Sequence, residues 1–306
     1  MMRPILLYFS TASWARRFVT GFPLARKVAR RFIAGESLTN AINLIEQLNA
    51  NKILVTLDYL GESVEKASDT DAVVATYTQA LTTIIDQQLQ AGVSLKLTHL
   101  GLDIDRTLCV NNLTRILELA HPHHIPVTID MESSDYTQVT LEIFRQLREA
   151  GFTNLGTVIQ AYLYRSQADM QQLSEEAARV RICKGAYLES ETIAFPQKTD
   201  VDANYLKLIE TYFTASPDSY LAIATHDEKM IVGAKQIIET LNIPASRYEF
   251  QMLYGIRAQL QQSLVDEGFK VRIYVPFGEA WYPYFMRRLA ERPANLWFFI
   301  KSLFSS

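Results

Sequence analysis

Ile53-Leu-Val-Thr-Leu-Asp-Tyr59, an amphipathic stretch over 71–91, then Val93-Ser-Leu-Lys-Leu-Thr-His99: this run sets the architecture. Two short apolar segments flank a longer one with helical spacing, which reads as strand, helix, strand. Strands joined by a helix run parallel, because a parallel pair needs a long crossover. The pattern continues with apolar runs at 126–131, 154–162, 180–186, 220–225, 248–252 and 270–275. Helical patterns lie between them, at 137–150 and 229–241 for example, with a last one after Gly278. Eight strand-and-helix units in one stretch are what a closed (β/α)8 barrel requires. An open doubly wound sheet is the competitor, and its dinucleotide-binding form carries Gly-x-Gly after the first strand. None of the twelve glycines makes that pattern. The expected class is therefore α/β, a distorted TIM-type barrel over 51–306. Residues 1–50 form a helical preface packing on it, with Ser37 as N-cap of its last helix.

Composition narrows the function classes. A chain of 306 residues, 48% hydrophobic and 21% charged, can bury a sizeable core. The net charge of -3 argues against a nucleic-acid partner. Two cysteines, Cys109 and Cys183, suit a reducing compartment rather than a disulfide scaffold. No apolar run reaches the roughly 18 residues of a membrane span. Charge is uneven, however. Residues 1–35 hold Arg3, Arg16, Arg17, Arg26, Lys27, Arg30 and Arg31 and no acid, interleaved with Trp14, Phe18, Phe22 and Phe32. Such a segment either lies on an anionic membrane surface or packs on the barrel with its arginines solvated.

Chemistry in such a barrel sits where the strands end. Lys96 comes late in the second strand, on the face opposite Leu95 and Leu97. Asp130 ends the third strand and Gln160 the fourth. Arg181 and Lys184 flank the fifth, Thr225-His226-Asp227 ends the sixth, Gln251 the seventh and Tyr274 the eighth. Buried charge is costly unless paired or bound to a ligand, so a ring of such groups marks a site. Asp130, Glu132, His226 and Asp227 are plausible metal ligands, but the cations around them oppose a divalent ion, and no metal is expected. Lys184-Gly185-Ala186 suits an anion, with close backbone approach at the glycine. His121, His123 and His124 fall in a loop at the opposite end of the barrel. Finally, Tyr274 through Glu291 sets Arg287 and Arg288 side by side among aromatics. Guanidinium forks match a carboxylate or phosphate bidentately, and the aromatics suit a small ligand with an acid group and an apolar body; the other reading is a solvated basic helix end.

These residues together resemble the proline dehydrogenases, flavoenzymes of proline catabolism. The shared segments are Ser94-Leu-Lys96-Leu, Asp130, Ile159-Gln160-Ala161-Tyr162, Arg181-Ile-Cys-Lys184-Gly-Ala-Tyr187, Ala224-Thr-His-Asp227, Phe250-Gln-Met-Leu-Tyr-Gly255 and Arg287-Arg288-Leu-Ala-Glu291. They run in family order over 53–295, and the length resembles the single-function bacterial form. The resemblance implies a barrel catalytic domain whose last helix carries an arginine clamp. It implies oxidation of L-proline to 1-pyrroline-5-carboxylate by hydride transfer to non-covalent FAD, quinone as electron acceptor, and a hand-off to a separate 1-pyrroline-5-carboxylate dehydrogenase. A cytoplasmic protein, peripheral on the inner face of the cell membrane, fits the same picture.

Carried over to this chain, Asp130 and Arg181 become the catalytic pair. Lys96, Arg287, Arg288, Tyr274, Tyr284 and Leu253 become the substrate site. Met131, Gln160, Arg181, Lys184, Gly185, Ala186, Thr225, His226 and Glu291 become the cofactor site. A Lys96–Asp130 ion pair is expected beneath the substrate. Asp227 and Cys183 depart from the commonest family pattern of Asn and Val. The alternatives are another FAD-dependent barrel, of the methylenetetrahydrofolate-reductase type, which lacks the double-arginine clamp, or a degenerate binding-only barrel, which loses its rim groups.

Overall fold

The computed structural model of the chain describes Ala29 and residues 31–291, the side chains of 289–291 excepted. Most of the basic segment 1–35, the apolar tail 296–304 and the Glu291 side chain lie outside the described residues. After a first helix, α1 (Leu38–Ala50), eight strand-and-helix units follow. They are β1 (Leu54–Tyr59), α2 (Ala67–Asp86), β2 (Ala91–Leu95), α3 (Arg106–Ala120), β3 (Val127–Ile129), α4 (Ser134–Glu149), β4 (Leu155–Gln160) and α5 (Ser166–Glu175). Then come β5 (Arg179–Cys183), α6 (Lys198–Ala215), β6 (Tyr220–Ala224), α7 (Glu228–Thr240), β7 (Tyr248–Leu253), α8 (Ala258–Asp266), β8 (Val271–Phe277) and α9 (Trp281–Glu291). The strands close in sequence order, β8 pairing parallel with β1 from Leu54↔Arg272 to Tyr59↔Phe277. The barrel read from the alternating segments is the barrel found.

Period-2 alternation sorts the strand residues. Val55, Leu57, Val93, Leu95, Ile159, Ile182, Ile223, Phe250, Ile273 and Val275 join the helices in one buried apolar layer. Burying each such side chain favours folding by about 1.5–3 kcal/mol. The alternate residues face the lumen, and here many are polar. A cavity of about 20 Å3 inside is lined by Thr56, Thr128, Arg179, Arg181, Glu249 and Arg272. Branched aliphatics usually fill a barrel of this kind. This one holds an ion pair instead: Arg272 donates to Glu249 from Nε at 2.6 Å and from Nη2 at 3.1 Å. Tyr220 Oη donates to the same carboxylate at 2.9 Å. Burial opposes the Glu249 charge, but Arg272 outweighs it and holds the pKa down at about 2.

The distortion has a local cause. α1 buries Ala41, Ile42 and Ile45, one helical face, against the wall by β1 and β8. The Asn49 side chain ties it to the barrel base through Ile53 O at 2.9 Å and the Gln90 amide at 2.8 Å. α1 thus covers wall that a regular barrel leaves to its last helix. α9 instead packs in a separate cluster over the C-terminal rim, where Trp281, Tyr282, Tyr284, Phe285 and Met286 meet Phe32, Ile33, Leu60 and Ile256. The approach of the preface to the rim demands glycine at 255. Its φ is +76°, and a Cβ there would sit 1.6 Å from Arg31 O. Among the described residues no helix is long and apolar enough to cross a membrane.

Candidate functional site

The strand register brings the predicted rim groups together. Asp130 follows β3 directly, and its amide is held by Leu95 O at 2.8 Å. Its carboxylate accepts from Arg181 Nη1 at 2.6 Å, from Ser94 Oγ at 2.6 Å and from Tyr274 Oη at 2.6 Å. Arg181 lies inside β5 and reaches across the lumen to do this. Its Nε donates to Gln251 Oε1 at 2.6 Å, and Gln251 Nε2 donates on to Glu249 at 2.6 Å. The guanidinium carbon also stands 5.4 Å from the Tyr274 ring centre. Arg181 Nη2 is buried with no hydrogen-bond acceptor among the described residues. β8 runs on to Phe277, so Tyr274 is a lumen residue within the strand rather than its end.

Lys96 lies one residue past β2, because the strand stops at Leu95 and a short helical turn follows at Thr98–Leu100. Its ammonium is 3.5 Å from Asp58 Oδ1. The expected Lys96–Asp130 pair is thereby corrected: Asp58 is the close partner, and Asp130 binds Arg181. The barrel shear decides which carboxylate stands opposite which cation, and segment spacing does not carry it. Burial works against the Lys96 charge, but Asp58, Asp130 and Glu62 outweigh it and raise its pKa. Asp58, 1% exposed, was missed as a site residue. The signal was present, since Thr56 and Asp58 alternate with Val55 and Leu57.

α9 places Arg287 and Arg288 above this layer. Arg287 Nη1 donates to Glu62 Oε1 at 3.3 Å. Burial lowers the Arg287 pKa, but Glu62, then Tyr187, more than restore it. Arg288 is 8% exposed, with its guanidinium 5.0 Å from the Tyr284 ring centre. Leu253 ends β7, and its amide donates to His226 Nε2 at 2.8 Å. An accepting Nε2 leaves the ring proton of neutral His226 on Nδ1. Glu62 escaped the sequence reading, and Tyr187 was quoted there only as the end of a shared segment with no role of its own, because both sit on loops outside any period. His99 stacks on Tyr59 with ring centres 5.4 Å apart, and burial, then Lys96, pushes its pKa down to about 4.

The remaining predicted positions line the β3 to β6 side. Met131 is buried, and Gln160 ends β4 with Nε2 donating to Glu132 O at 2.8 Å. Glu132 itself is clasped by Thr98, from the amide at 3.2 Å and from Oγ1 at 2.7 Å. Burial raises its pKa to about 7 despite these bonds. Lys184 and Gly185 follow β5 rather than extend it. Gly185 has φ +116°, and a Cβ there would come within 2.3 Å of the Tyr162 ring. Ala186 is half-buried beside it. Lys184 Nζ contacts Asp202 and, at 2.8 Å, Asp227. Burial disfavours the Asp227 charge, but Lys184 prevails and the pKa falls to about 2. Thr225 Oγ1 accepts from the Asp227 amide at 3.1 Å, and Asp227 caps α7 through the Lys229 amide. Cys183 is half-buried at the end of β5. No group of three or more His, Cys, Asp or Glu among the described residues is placed to hold a metal ion.

A family profile described as proline dehydrogenase matches residues 41–300. The chain is 44% identical over 301 residues to proline dehydrogenase 2 of Bacillus subtilis (strain 168), covering 98% of both chains. It is 39% identical over 284 residues to proline dehydrogenase of Deinococcus radiodurans, covering 90% of both. Among solved structures, it is similar to proline utilization A (PutA) from Bdellovibrio bacteriovorus inactivated by N-propargylglycine. That match has a TM-score of 0.81 at 27% identity; it covers 87% of this chain and 33% of the other, so this chain spans about a third of that protein.

Proposed function

Because the chain belongs to the proline dehydrogenase family, we propose that it oxidises L-proline to 1-pyrroline-5-carboxylate with non-covalently bound FAD, and passes the electrons to a quinone. The observation that carries this reading is the stack at the rim. A buried Arg181–Asp130–Tyr274 cluster lies below Lys96 and Arg287, two cations held among Asp58, Glu62 and Tyr187. A small zwitterion with one carboxylate suits such a site.

The residues present fit the cofactor on two counts. Arg181 Nη2 is a buried donor in want of an acceptor, which a flavin ring can offer. Gly185, with φ +116° and the Tyr162 ring standing where a Cβ would go, lets the loop backbone turn tightly at the rim, close to where a ligand would lie. Gln160, Lys184, Ala186, Thr225, His226 and Met131 line the same side and would complete the holding set, with Glu291 from α9. When bound, FAD supplies the two-electron acceptor for the hydride leaving the carbon next to nitrogen.

The protein's share is placement. Arg287 and Arg288 grip the proline carboxylate as a fork, and Lys96 adds a third positive contact. Tyr274, Tyr284 and Leu253 wall the ring, so the carbon that loses hydride is aimed rather than free to turn. Asp130 holds Arg181 in place, with Ser94 and Tyr274 holding Asp130 in turn. α9 shields the reacting centre from water. The quinone resides in a membrane, and the basic segment 1–35 supplies a surface for docking at its inner face. The product then passes to a separate 1-pyrroline-5-carboxylate dehydrogenase.

The test is optical. The purified protein should show a flavin spectrum that bleaches on anaerobic addition of L-proline. A colourless protein, or a yellow one that does not respond, overturns the reading. Arg288→Ala should lower kcat/KM by the equivalent of about 2–5 kcal/mol, chiefly through KM. Near-normal proline kinetics would remove Arg288 from the clamp. Deleting residues 1–35 should abolish liposome binding; undiminished binding refutes the docking role.

A further inference from the structure

The geometry points to Glu189 as a positioning residue: a latch that hangs the β5–α6 loop from the start of α4 and so holds Gly185 and Tyr187 at the rim. Its functional consequence rests on the cofactor reading above.

α4 opens with a defect. The side chain of its N-cap residue, Ser133, makes no capping bond. The first amides of a helix have no partner within the helix and carry its positive end. Here the partner arrives from 55 residues further along the chain. Ser134 N–H donates to Glu189 Oε1 at 2.7 Å, and Ser134 Oγ donates to Oε2 at 2.6 Å. Both oxygens of one carboxylate are used, and both bonds are charge-assisted.

The same carboxylate reaches the site. Tyr162 Oη donates to Glu189 Oε1 at 3.4 Å, and the Tyr162 ring is what presses on Gly185. Elsewhere the loop is tied by the Lys184 side chain to Asp227 at 2.8 Å, by Tyr164 Oη, which donates to Glu191 O at 3.0 Å, and by backbone. Lys184 O accepts from the Tyr162 amide at 2.9 Å at its start. Ile193 O and the Phe195 amide bond Tyr164 N and Tyr162 O, at 3.0 and 2.8 Å, at its return. Between those anchors stands the stretch that carries Gly185 and Tyr187. Leu188 there is 62% exposed and anchors nothing. The side chain of Glu189 spans the gap to α4. Burial raises the Tyr187 pKa, and the charges of Arg287 and Lys96 act against that rise. One carboxylate thereby sets the loop on the candidate cofactor side and the substrate side together.

Hydrogen–deuterium exchange of the whole protein tests the latch, comparing Glu189→Ala, Glu189→Gln and Ser134→Ala. In Glu189→Ala the peptides holding Ser134 and residues 185–192 should exchange about tenfold faster, the equivalent of about 1.4 kcal/mol. Strands β1 and β8 should be unchanged. Glu189→Gln, which keeps an accepting oxygen, should fall between wild type and alanine. In the flavin-loaded enzyme, Glu189→Ala should release flavin about tenfold faster, read as returning free-flavin fluorescence. The KM for L-proline should rise while kcat at saturation stays within about twofold. Unchanged exchange in a folded Glu189→Ala protein refutes the latch. Faster exchange with unaltered flavin release and KM refutes its positioning role. If the wild type binds no flavin, the cofactor reading falls, and the exchange data still judge the latch.

Discussion

Glu132 shows how one side chain can tune the protein to pH. Its carboxyl is clasped by Thr98 yet buried enough for the pKa to reach about 7, against 4.5 for the ordinary group. The folded state therefore binds a proton that the unfolded chain has released. Its stabilising effect is fully present below pH 4.5 and is lost as pH rises through about 7. His99 has the opposite sign: its pKa is lowered from 6.5 to about 4, so its contribution fades as pH falls. Comparing wild type with Glu132→Gln by urea unfolding cancels the His99 part. The stability difference should shift against wild type by about 3 kcal/mol between pH 4.5 and 7.5. Asp58 carries a second lesson. It sat in the quoted strand as plainly as Lys96 sat in its own, but a carboxylate one residue short of a strand end looked like part of the alternation. Its pairing with Lys96 depends on the register of neighbouring β1 and β2, where Asp58 stands beside Ser94, and no single segment encodes that.

Among the elements, α9 is the one whose position the pattern could not supply. A helix after Gly278 was readable, and so were its two arginines. Its seat over the rim depends on α1 covering wall by β1 and β8, and on Phe32 and Ile33 meeting Phe285 and Trp281. Phe32 and Phe285 stand 6.2 Å apart by ring centre. Phe32→Ala leaves every rim group in place yet removes the anchor. It should cost about 3–5 kcal/mol where the gap cannot collapse, and raise the proline KM several-fold. Thermal unfolding and steady-state kinetics check the two effects. β2 and β5 teach the converse. Both ended earlier than their apolar runs, at Leu95 and Cys183, so Lys96 and Lys184 lie on turns where a side chain can meet a ligand.

The molecule as a whole is a barrel whose lumen is ionic from base to rim. Arg272, Glu249, Gln251, Arg181 and Asp130 form one chain of donors and acceptors. Its lower half was invisible in the sequence, because Arg272 and Glu249 lie at neither the strand ends nor in a motif. Breaking it on one side leaves a charge without a partner. Glu249→Ala should cost about 3–5 kcal/mol, whereas Glu249→Leu combined with Arg272→Met should recover much of the loss. Chemical denaturation of the two variants beside wild type would reveal the order, and equal losses would contradict it.

The exchange of places between α1 and α9 also orders events in time. The cylinder is complete once Phe277 has joined β1, and the wall by β1 and β8 is already covered by a segment made long before. The cover over its mouth is the last described element to leave the ribosome. The mouth is thus closed by the element made last, and it can be uncovered without any strand having to part.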